Sequence, residues 1–280
     1  MYKVLYNKKI SENSYEMEVV APLIVEKFIP GQFVIVKAFE DSERIPLTIY
    51  DWDKKKNTIT LIYQVVGAST LELSTIKDEI YSVAGPLGNG NEICSNPKEF
   101  KNKRICYVAG GVGIAPVYPQ VKFLNELGFK VDVIFGAREA NLLIIRDKIE
   151  KITNKIRYAT DDGSFGTKGF VTDILEKYIN DYDIVIAIGP VIMMKNVCDV
   201  TKKHKKKTIV SMNPLMIDGS GMCGACRCMV DGKVKFACIH GPEFDGSKVD
   251  FDLAMKRMNI YKEEEKEKYN EMKKSLGLEG

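Results

Sequence analysis

The sequence predicts a mixed fold class: an N-terminal antiparallel β-barrel, a central α/β domain built on a parallel sheet, and a C-terminal cysteine-rich loop with a helix. Short β-rich runs with period-two alternation recur up to about residue 85, as in small antiparallel barrels. From about residue 100 the pattern becomes strand, glycine-rich turn and helix, repeated, which is typical of an open parallel sheet. From about residue 212 glycines and cysteines crowd together, and a charged segment follows. The predicted domains are residues 1–98, 99–211, 212–250 and 251–280.

The composition excludes several classes of protein. The 280 residues are 45% hydrophobic and 28% charged, which suits two folded domains and excludes a disordered or fibrous chain. A net charge of +3 provides no broad basic field for nucleic acid or anionic lipid. The N-terminus lacks the apolar core of a secretory signal, and Gly189 and Pro190 interrupt the longest apolar stretch, Ile184 to Met194. We therefore expect a cytoplasmic protein whose partners include neither nucleic acid nor a membrane.

Two segments of the predicted barrel carry polar groups that suit a ligand. The run RIPLTIY (residues 44–50) places an arginine, a hydroxyl and an aromatic ring on one strand, although an ordinary strand with one charge is the simpler interpretation of this run alone. Val66 to Thr70 follows the apolar strand TLIYQVV and opens a short helix. A glycine lets the backbone approach a ligand there, and the free N–H groups of a helix start attract anions. Ser69 or Thr70 can equally serve as an N-cap.

The α/β region contains a glycine turn in the context that a nucleotide-binding turn requires. Val108 to Pro116 (VAGGVGIAP) follows a clear strand and precedes a helix, although it is not the G-x-G-x-x-G fingerprint. A tight turn without a ligand remains an alternative. Two further strand ends, at Phe135 to Arg138 and Ile188 to Pro190, place glycines at the carboxyl edge of the sheet, where ligands of open α/β sheets bind.

The cysteines are the most informative residues. Of seven, four lie within sixteen positions: Cys223, Cys226, Cys228 and Cys238. An odd total without an export signal argues for a reducing compartment and for metal or redox chemistry rather than disulfides. The spacing Asp218-x4-Cys223-x2-Cys226-x11-Cys238 is similar to the C-x4-C-x2-C…C pattern of plant-type 2Fe–2S ferredoxins, with aspartate at the first ligand position.

Alternatives for this segment remain open. Zinc prefers an all Cys/His set, and a thioredoxin-like dithiol at Cys223 and Cys226 would open a helix rather than lie in a glycine-rich loop. Cys228 is too close to Cys226 to share a chelating turn easily, so we interpret it as a bystander. Asp218 could instead stabilise a turn.

The motifs together resemble a known family along most of the chain. RIPLT, VGAST, AGPLGNG, AGGVGIAP, DDGSFGTKGFVT and GPVIMMKNV look like the flavin and nicotinamide signatures of the ferredoxin-NADP reductase superfamily, and the cysteine segment resembles that of its electron-transfer subunits. Two relatives are similar: the electron-transfer subunit of NAD-dependent dihydroorotate dehydrogenase, and the small subunit of NADH-dependent reduced ferredoxin:NADP oxidoreductase. The former usually has four cysteines and a cysteine before the Gly-Pro motif. Asp218 and Ile188 stand at these places here, which favours the latter.

The resemblance implies a set of binding residues and no catalytic acid, base or nucleophile. The flavin and its phosphate would contact Arg44, Pro46, Leu47 and Thr48, and the FAD pyrophosphate would contact Gly67, Ser69 and Thr70. The dinucleotide turn would comprise Gly110, Gly111, Gly113 and Pro116, and the nicotinamide crevice would be completed by Gly136, Arg138, Asp162, Gly189 and Pro190. The cluster would be held by Asp218, Cys223, Cys226 and Cys238.

The implied function is electron transfer between NAD(H), FAD and a 2Fe–2S cluster. By resemblance, the partner is a large flavin and iron–sulfur subunit of glutamate-synthase-like type that binds NADPH and, in turn, ferredoxin. Asp161 and Asp162 after a strand favour NAD, whereas Arg138 is available for the 2′-phosphate of NADP. Two other interpretations stay open: electron delivery to a dihydroorotate dehydrogenase, and a zinc-stabilised nucleotide-binding module without redox activity.

Overall fold

The N-terminal part of the chain forms a nearly closed antiparallel barrel. The computed structural model describes residues 1–278, so Glu279 and Gly280 of the predicted C-terminal segment lie outside the described residues. The barrel strands run in the order β6-β1-β2-β5-β4-β3-β7. Only Tyr81 separates β6, which pairs with β1, from β7, which pairs with β3, so this segment joins the two ends of the sheet. The elements are β1 Tyr2–Lys9, β2 Ser14–Val20, α1 Pro22–Lys27, β3 Phe33–Lys37, β4 Ile45–Asp53, β5 Thr58–Gln64, α2 Ala68–Ser74, β6 Glu79–Ile80 and β7 Ser82–Leu87.

The barrel forms because alternate residues of its strands point into one apolar core. Met17 of β2, Ile49 of β4 and Leu61 of β5 are completely buried and belong to the same cluster. Burial of such side chains contributes roughly 1.5–3 kcal/mol each, which is the main stabilising term for the barrel.

The central part is an open α/β sheet with the order β11-β10-β9-β8-β12-β13-β16. The strands are parallel except β16. Strand β8 lies between β9 and β12, so successive strands are added first on one side of β8 and then on the other. A crevice forms at the carboxyl ends of strands at such a point. The elements are α3 Glu92–Ser95, α4 Pro97–Phe100, β8 Ile105–Gly110, α5 Ile114–Glu126, β9 Val131–Ala137, α6 Arg146–Glu150, β10 Lys155–Thr160, β11 Thr167–Lys168, α7 Val171–Tyr178, β12 Ile184–Ile188, α8 Val191–Lys203 and β13 Lys207–Ser211.

The cysteine-rich segment is anchored on the edge of this sheet. Its strand β16 pairs antiparallel with β13, with Val210 opposite Phe244 and Ser211 opposite Glu243. The predicted fold class of barrel, parallel sheet and C-terminal loop region is confirmed, but β16 was not expected from the sequence. The remaining elements are β14 Arg227–Val230, β15 Lys233–Phe236, α9 Ala237–His240, β16 Glu243–Asp245, α10 Phe251–Met258 and α11 Lys262–Ser275.

The charged end of the chain, for which the sequence predicts one helix, is divided into two. Helix α10 buries Phe251 in the core shared with the cysteine-rich segment, whereas α11 has no buried residue and packs against α2 of the barrel. The break at residues 259–261 lets the chain turn from one surface to the other. No helix within residues 1–278 combines the length and hydrophobicity needed to cross a bilayer.

Polar contacts fix the barrel against the α/β sheet. Lys122 of α5 donates to Asp51 at 2.6 Å, and Lys148 of α6 donates to Glu16 at 3.1 Å. Between these two ion pairs the rings of Tyr50 and Tyr118 pack with centroids 4.8 Å apart. These contacts therefore fix the orientation of the barrel relative to the sheet.

Candidate functional site

The predicted flavin residues lie together at the start of strand β4. Arg44 is exposed immediately before the strand, and the next predicted contacts are half-buried. Register places Pro46 opposite Ile35, Leu47 opposite Val34 and Thr48 opposite Phe33 of strand β3. These residues thus occupy one end of β4, where Leu47 packs against the barrel core and its neighbours Pro46 and Thr48 face the other side of the sheet.

The start of helix α2 is open to a ligand, and its side chains are partly engaged. Nothing lies within 4 Å of the position that a Cβ would take at Gly67. The Thr70 hydroxyl accepts hydrogen bonds from the Val66 and Gly67 amides, both at 3.1 Å. Ser69 donates to Glu43 at 3.1 Å, and Glu43 also pairs with Lys268 of α11. The N-cap is therefore Gly67 rather than Ser69 or Thr70, and the Thr70 hydroxyl at the third helical position holds the N-cap amide, while Gly67 leaves open space beside its Cα.

The glycines at the carboxyl edge of the sheet divide into two groups. A Cβ at Gly113 would lie 2.3 Å from the Ile188 carbonyl oxygen, and one at Gly110 or Gly189 would contact Met193 at 2.5 or 2.8 Å. These glycines allow close packing of the turns. Gly111 has a φ of +55° and open space around it, so it is the glycine of this turn that leaves room for a ligand.

The remaining residues that are predicted to bind nicotinamide lie at neighbouring strand ends. Gly136 pairs with Gly110, and its missing side chain makes room for Val171, because a Cβ would lie 2.4 Å from that residue's Cγ1. Asp162 donates its amide to the Arg138 carbonyl at 3.3 Å, so these two residues lie together. Hydrogen bonds from Ser164 lower the pKa of Asp162 and occupy one of its carboxylate oxygens.

Pro116 and Pro190 lie at the starts of two helices that follow strands of the parallel sheet. Pro116 lies in the first turn of α5, directly after the glycine turn, and Pro190 is the N-cap of α8. Both positions tolerate proline because the first N–H groups of a helix have no partner within the helix.

The structure brings two of the predicted cluster ligands into contact. The buried Sγ atoms of Cys226 and Cys238 lie 3.2 Å apart, whereas Cys223 is exposed. Hydrogen bonds from Ser220 and then from Cys223 lower the pKa of Asp218, so its carboxylate lies beside the third predicted thiol. Among residues 1–278, no three His, Cys, Asp or Glu side chains converge as a complete metal cage.

The segment nevertheless fits an iron–sulfur cluster in its donors and its backbone. Cys223, Cys226 and Cys238 would provide three of the four thiolates that such clusters use, and Asp218 would stand in place of the fourth. Gly219, Gly221 and Gly224 have φ values of +75°, +83° and +68°, which only glycine adopts readily, and they allow the loop to fold closely. Cys228 is buried, its thiol lies 3.8 Å from the Cys226 carbonyl oxygen, and burial raises its pKa to about 11.

One buried polar group was not identified from the sequence. Glu243 of β16 accepts hydrogen bonds from Asn91 at 2.6 Å and Gln120 at 2.8 Å. The Gln120 Oε1 atom and the Tyr107 hydroxyl are buried without hydrogen-bond partners among the described residues. The only sequence indication is an acidic residue between Pro242 and Phe244, which is too weak to predict a buried carboxylate.

Comparisons with known proteins agree with this site. Residues 213–250 match the iron–sulfur cluster binding domain of dihydroorotate dehydrogenase B, and residues 107–199 match an oxidoreductase NAD-binding domain. The chain is 41% identical over 279 residues to the dihydroorotate dehydrogenase B (NAD(+)) electron transfer subunit homolog of Thermotoga maritima, covering 98% of this chain and 96% of that protein. The dihydroorotate dehydrogenase B electron transfer subunit of Clostridium acetobutylicum is 35% identical, with 88% and 95% covered.

A solved structure is similar over nearly the whole chain. It is a chain from the structure of the NADH-dependent reduced ferredoxin-NADP oxidoreductase, an enzyme studied for flavin-based electron bifurcation. It is 39% identical, superposes with a TM-score of 0.89, and 97% of each chain is covered. The predicted FAD, iron–sulfur and NAD(H) cofactors are confirmed at the level of the family. The chain therefore belongs to the family of electron-transfer subunits represented by dihydroorotate dehydrogenase B, and it is an oxidoreductase subunit of the ferredoxin-NADP reductase type.

Proposed function

We propose that this chain is the NADH-binding flavin and 2Fe–2S subunit of a ferredoxin:NADP oxidoreductase complex. Its partner is a larger glutamate-synthase-like subunit with its own flavin and iron–sulfur centres, which binds NADPH and reacts with ferredoxin. The complex works in the cytoplasm, in keeping with seven unpaired cysteines. The likeness to the solved oxidoreductase, at 39% identity over 97% of both chains, supports this partner over others.

One contact carries the proposal, because it joins the predicted cluster loop to a barrel strand that pairs with the predicted flavin-binding strand. A Cβ at Gly219 would lie 2.6 Å from Leu87 Cδ1 and 3.0 Å from Ile35 Cγ1. Ile35 is in turn the cross-strand neighbour of Pro46, one of the predicted flavin contacts. The residue after the predicted ligand Asp218 therefore packs on strands β7 and β3, and β3 is paired with the strand β4 that carries the predicted flavin contacts.

The side chains in this arrangement bind and orient rather than transfer protons. When bound, FAD converts between the electron pair of NADH and the single electrons of an iron–sulfur cluster. Both histidines are engaged elsewhere: His204 contacts Glu176 at 2.8 Å, and His240 Nδ1 accepts the Phe236 amide at 3.0 Å. Gly67 and Gly111 leave room for phosphates, and the two ion pairs at the domain interface keep these openings in a fixed relation.

Purified protein tests the proposal directly. After anaerobic reconstitution with FAD, iron and sulfide, we expect flavin and iron–sulfur absorbance that NADH bleaches, with NADH used better than NADPH. A protein that binds zinc but neither iron nor FAD would instead support the nucleotide-binding module. Better use of NADPH would contradict only the assignment of NAD.

A second candidate is electron delivery to a dihydroorotate dehydrogenase. The match of residues 213–250 to the corresponding iron–sulfur domain and the 35% identical relative favour it. Affinity purification from the native organism distinguishes the two. Recovery of a dihydroorotate dehydrogenase and orotate-dependent NADH oxidation would support the second, whereas recovery of a large NADPH-oxidising flavoprotein would support the first.

A further inference from the structure

Helix α10 places an arginine directly against the cysteine loop. Arg257 donates through Nη2 to the Ala225 carbonyl oxygen at 3.2 Å, and Ala225 immediately precedes the predicted ligand Cys226. The helix is fixed in place because Asp250 caps it with a 2.9 Å bond to the Leu253 amide and because Phe251 is buried. Because the helix is fixed in this way, the half-buried guanidinium of Arg257 stays beside the loop.

A second arginine holds the preceding peptide. Arg227 donates to the Gly224 carbonyl oxygen at 3.0 Å. In a trans peptide the carbonyl and the next N–H point in opposite directions, so the amides of Ala225 and Cys226 are directed away from the two guanidinium groups. Neither amide has an acceptor in the part of the chain that the structure describes. Free amides in this position suit the sulfur atoms of a cluster.

The charge of Arg257 is not neutralised by a carboxylate. Of the acidic residues on its own helix, Asp252 is paired with Lys195 at 2.7 Å. No carboxylate within residues 1–278 forms an ion pair with Arg257. An arginine also stays protonated at all working pH values, so its positive charge is a constant feature of the loop.

We propose that Arg257 raises the reduction potential of the iron–sulfur cluster held by the cysteine loop. This inference rests on the proposed function. Each reduction adds one electron, received from the flavin and later passed to the partner, and no proton is taken up at Arg257. Because the reduced cluster is more negative by one unit, a nearby partly buried cation stabilises it relative to the oxidised cluster. Arg257 is thus a positioning residue that also sets the driving force for electron transfer.

The test compares three variants of the full chain by their iron content and by the midpoint potential of the cluster. The potential is measured by titration with dithionite and ferricyanide, followed by electron paramagnetic resonance. Arg257→Gln removes the charge at the loop, Arg257→Lys keeps it, and Lys256→Gln removes an exposed charge from the adjacent position as a matched control. We expect a lower midpoint for Arg257→Gln, a smaller change for Arg257→Lys, and the wild-type value for Lys256→Gln.

Each other outcome has a defined meaning. Equal shifts in Arg257→Gln and Lys256→Gln, or no shift in Arg257→Gln with full iron content, would overturn the proposal. Loss of iron in Arg257→Gln alone would also overturn it, since the arginine would then only hold the loop together. Absence of iron from the wild-type protein would contradict the proposed function instead.

Discussion

The side-chain amide of Gln120 donates a 2.8 Å hydrogen bond to the carboxylate of Glu243. This bond connects helix α5, which follows the glycine turn, to strand β16 of the cysteine-rich segment. Asn91, from the linker between barrel and sheet, donates to the other oxygen of the same carboxylate. One carboxylate therefore connects three parts of the chain.

This carboxylate predicts an unusual dependence of stability on pH. Burial raises the pKa of Glu243 to about 7, against the opposing effect of its two hydrogen bonds. The folded state then holds a proton that the unfolded state has released, so stability falls as pH rises from about 4.5 to about 7. We expect a loss of about 3 kcal/mol from this residue across that range, because the pKa shift of about 2.5 units corresponds to roughly 1.4 kcal/mol for each unit and titration is incomplete at the two ends.

Glu243→Gln tests this prediction. The new amide can accept from Asn91 and donate to Gln120 Oε1, which has no partner among the described residues. We expect the variant to lose this pH dependence and to exceed wild type in urea-unfolding free energy at pH 8. The exposed Glu99→Gln should keep the wild-type slope. A variant less stable than wild type at pH 8 would contradict the prediction.

The ion pair between Lys148 and Glu16 predicts a salt-sensitive contribution to stability. The Glu16 side chain is only 5% exposed, and although burial opposes it, hydrogen bonds from Lys8 and Lys148 lower its pKa overall. Lys148→Ala should lower the free energy of unfolding by about 1 kcal/mol at low salt and by less at high salt. The exposed Lys151→Ala is the control. Urea unfolding at two salt concentrations checks the result, and equal effects of both substitutions would refute it.

The cysteine loop predicts different outcomes for neighbouring thiols. Cys226→Ser and Cys238→Ser remove members of the thiol pair at 3.2 Å, so iron and acid-labile sulfide should be lost. Cys228→Ser should leave both contents unchanged, because that thiol lies in the apolar core and is directed to a backbone carbonyl oxygen. Loss of the cluster in Cys228→Ser would overturn the ligand assignment.

Gly111 and Gly128 both have a positive φ, and alanine substitutions at the two positions should distinguish an effect on stability from an effect on NADH binding. Gly111 and Gly128 have φ values of +55° and +81°, and a Cβ would meet nothing within 4 Å at either position. Substitution by alanine should therefore cost about 1 kcal/mol of stability in both. Only Gly111→Ala should raise the KM for NADH, because Gly128 lies at the far end of α5. A similar change in KM for both variants would argue against a ligand at Gly111.

The contact between Gly136 and Val171 predicts a rescue by a second substitution. A Cβ at position 136 would lie 2.4 Å from Val171 Cγ1, so Gly136→Ala should lower stability by about 1–3 kcal/mol. In a Val171→Ala background the clash is absent, and the same change should cost much less. A thermal-unfolding double-mutant cycle measures the coupling, and additive effects would disprove the packing role.

Helices and strands could be predicted where their own residues show a regular hydrophobic spacing. Helix α7 at Val171–Tyr178 is such an element, because its apolar residues recur at helical spacing. Strand β16 was missed because a run of three residues is too short to show a hydrophobic pattern. Its antiparallel pairing with β13 also requires the chain to reverse direction, which only the tertiary structure shows.

Residues of the candidate site could be predicted from the sequence where one short motif contains them. The glycines and cysteines were identified as groups, and their ligand contacts stay predictions. The sequence could not distinguish Gly111, which is open, from Gly113, which packs against Ile188, since this depends on atoms far along the chain. Nor could it show Arg257 beside Ala225, because thirty-two positions separate them.

The short strand β16 also affects how copies of this chain meet. It covers the side of β13 that would otherwise present unpaired backbone groups, and at the opposite side the sheet ends in the two-residue strand β11. Long, flat strand edges invite pairing between molecules and aggregation, whereas edges of two and three residues offer little template. The same strand that anchors the cysteine-rich segment therefore helps to keep concentrated protein from assembling edge to edge.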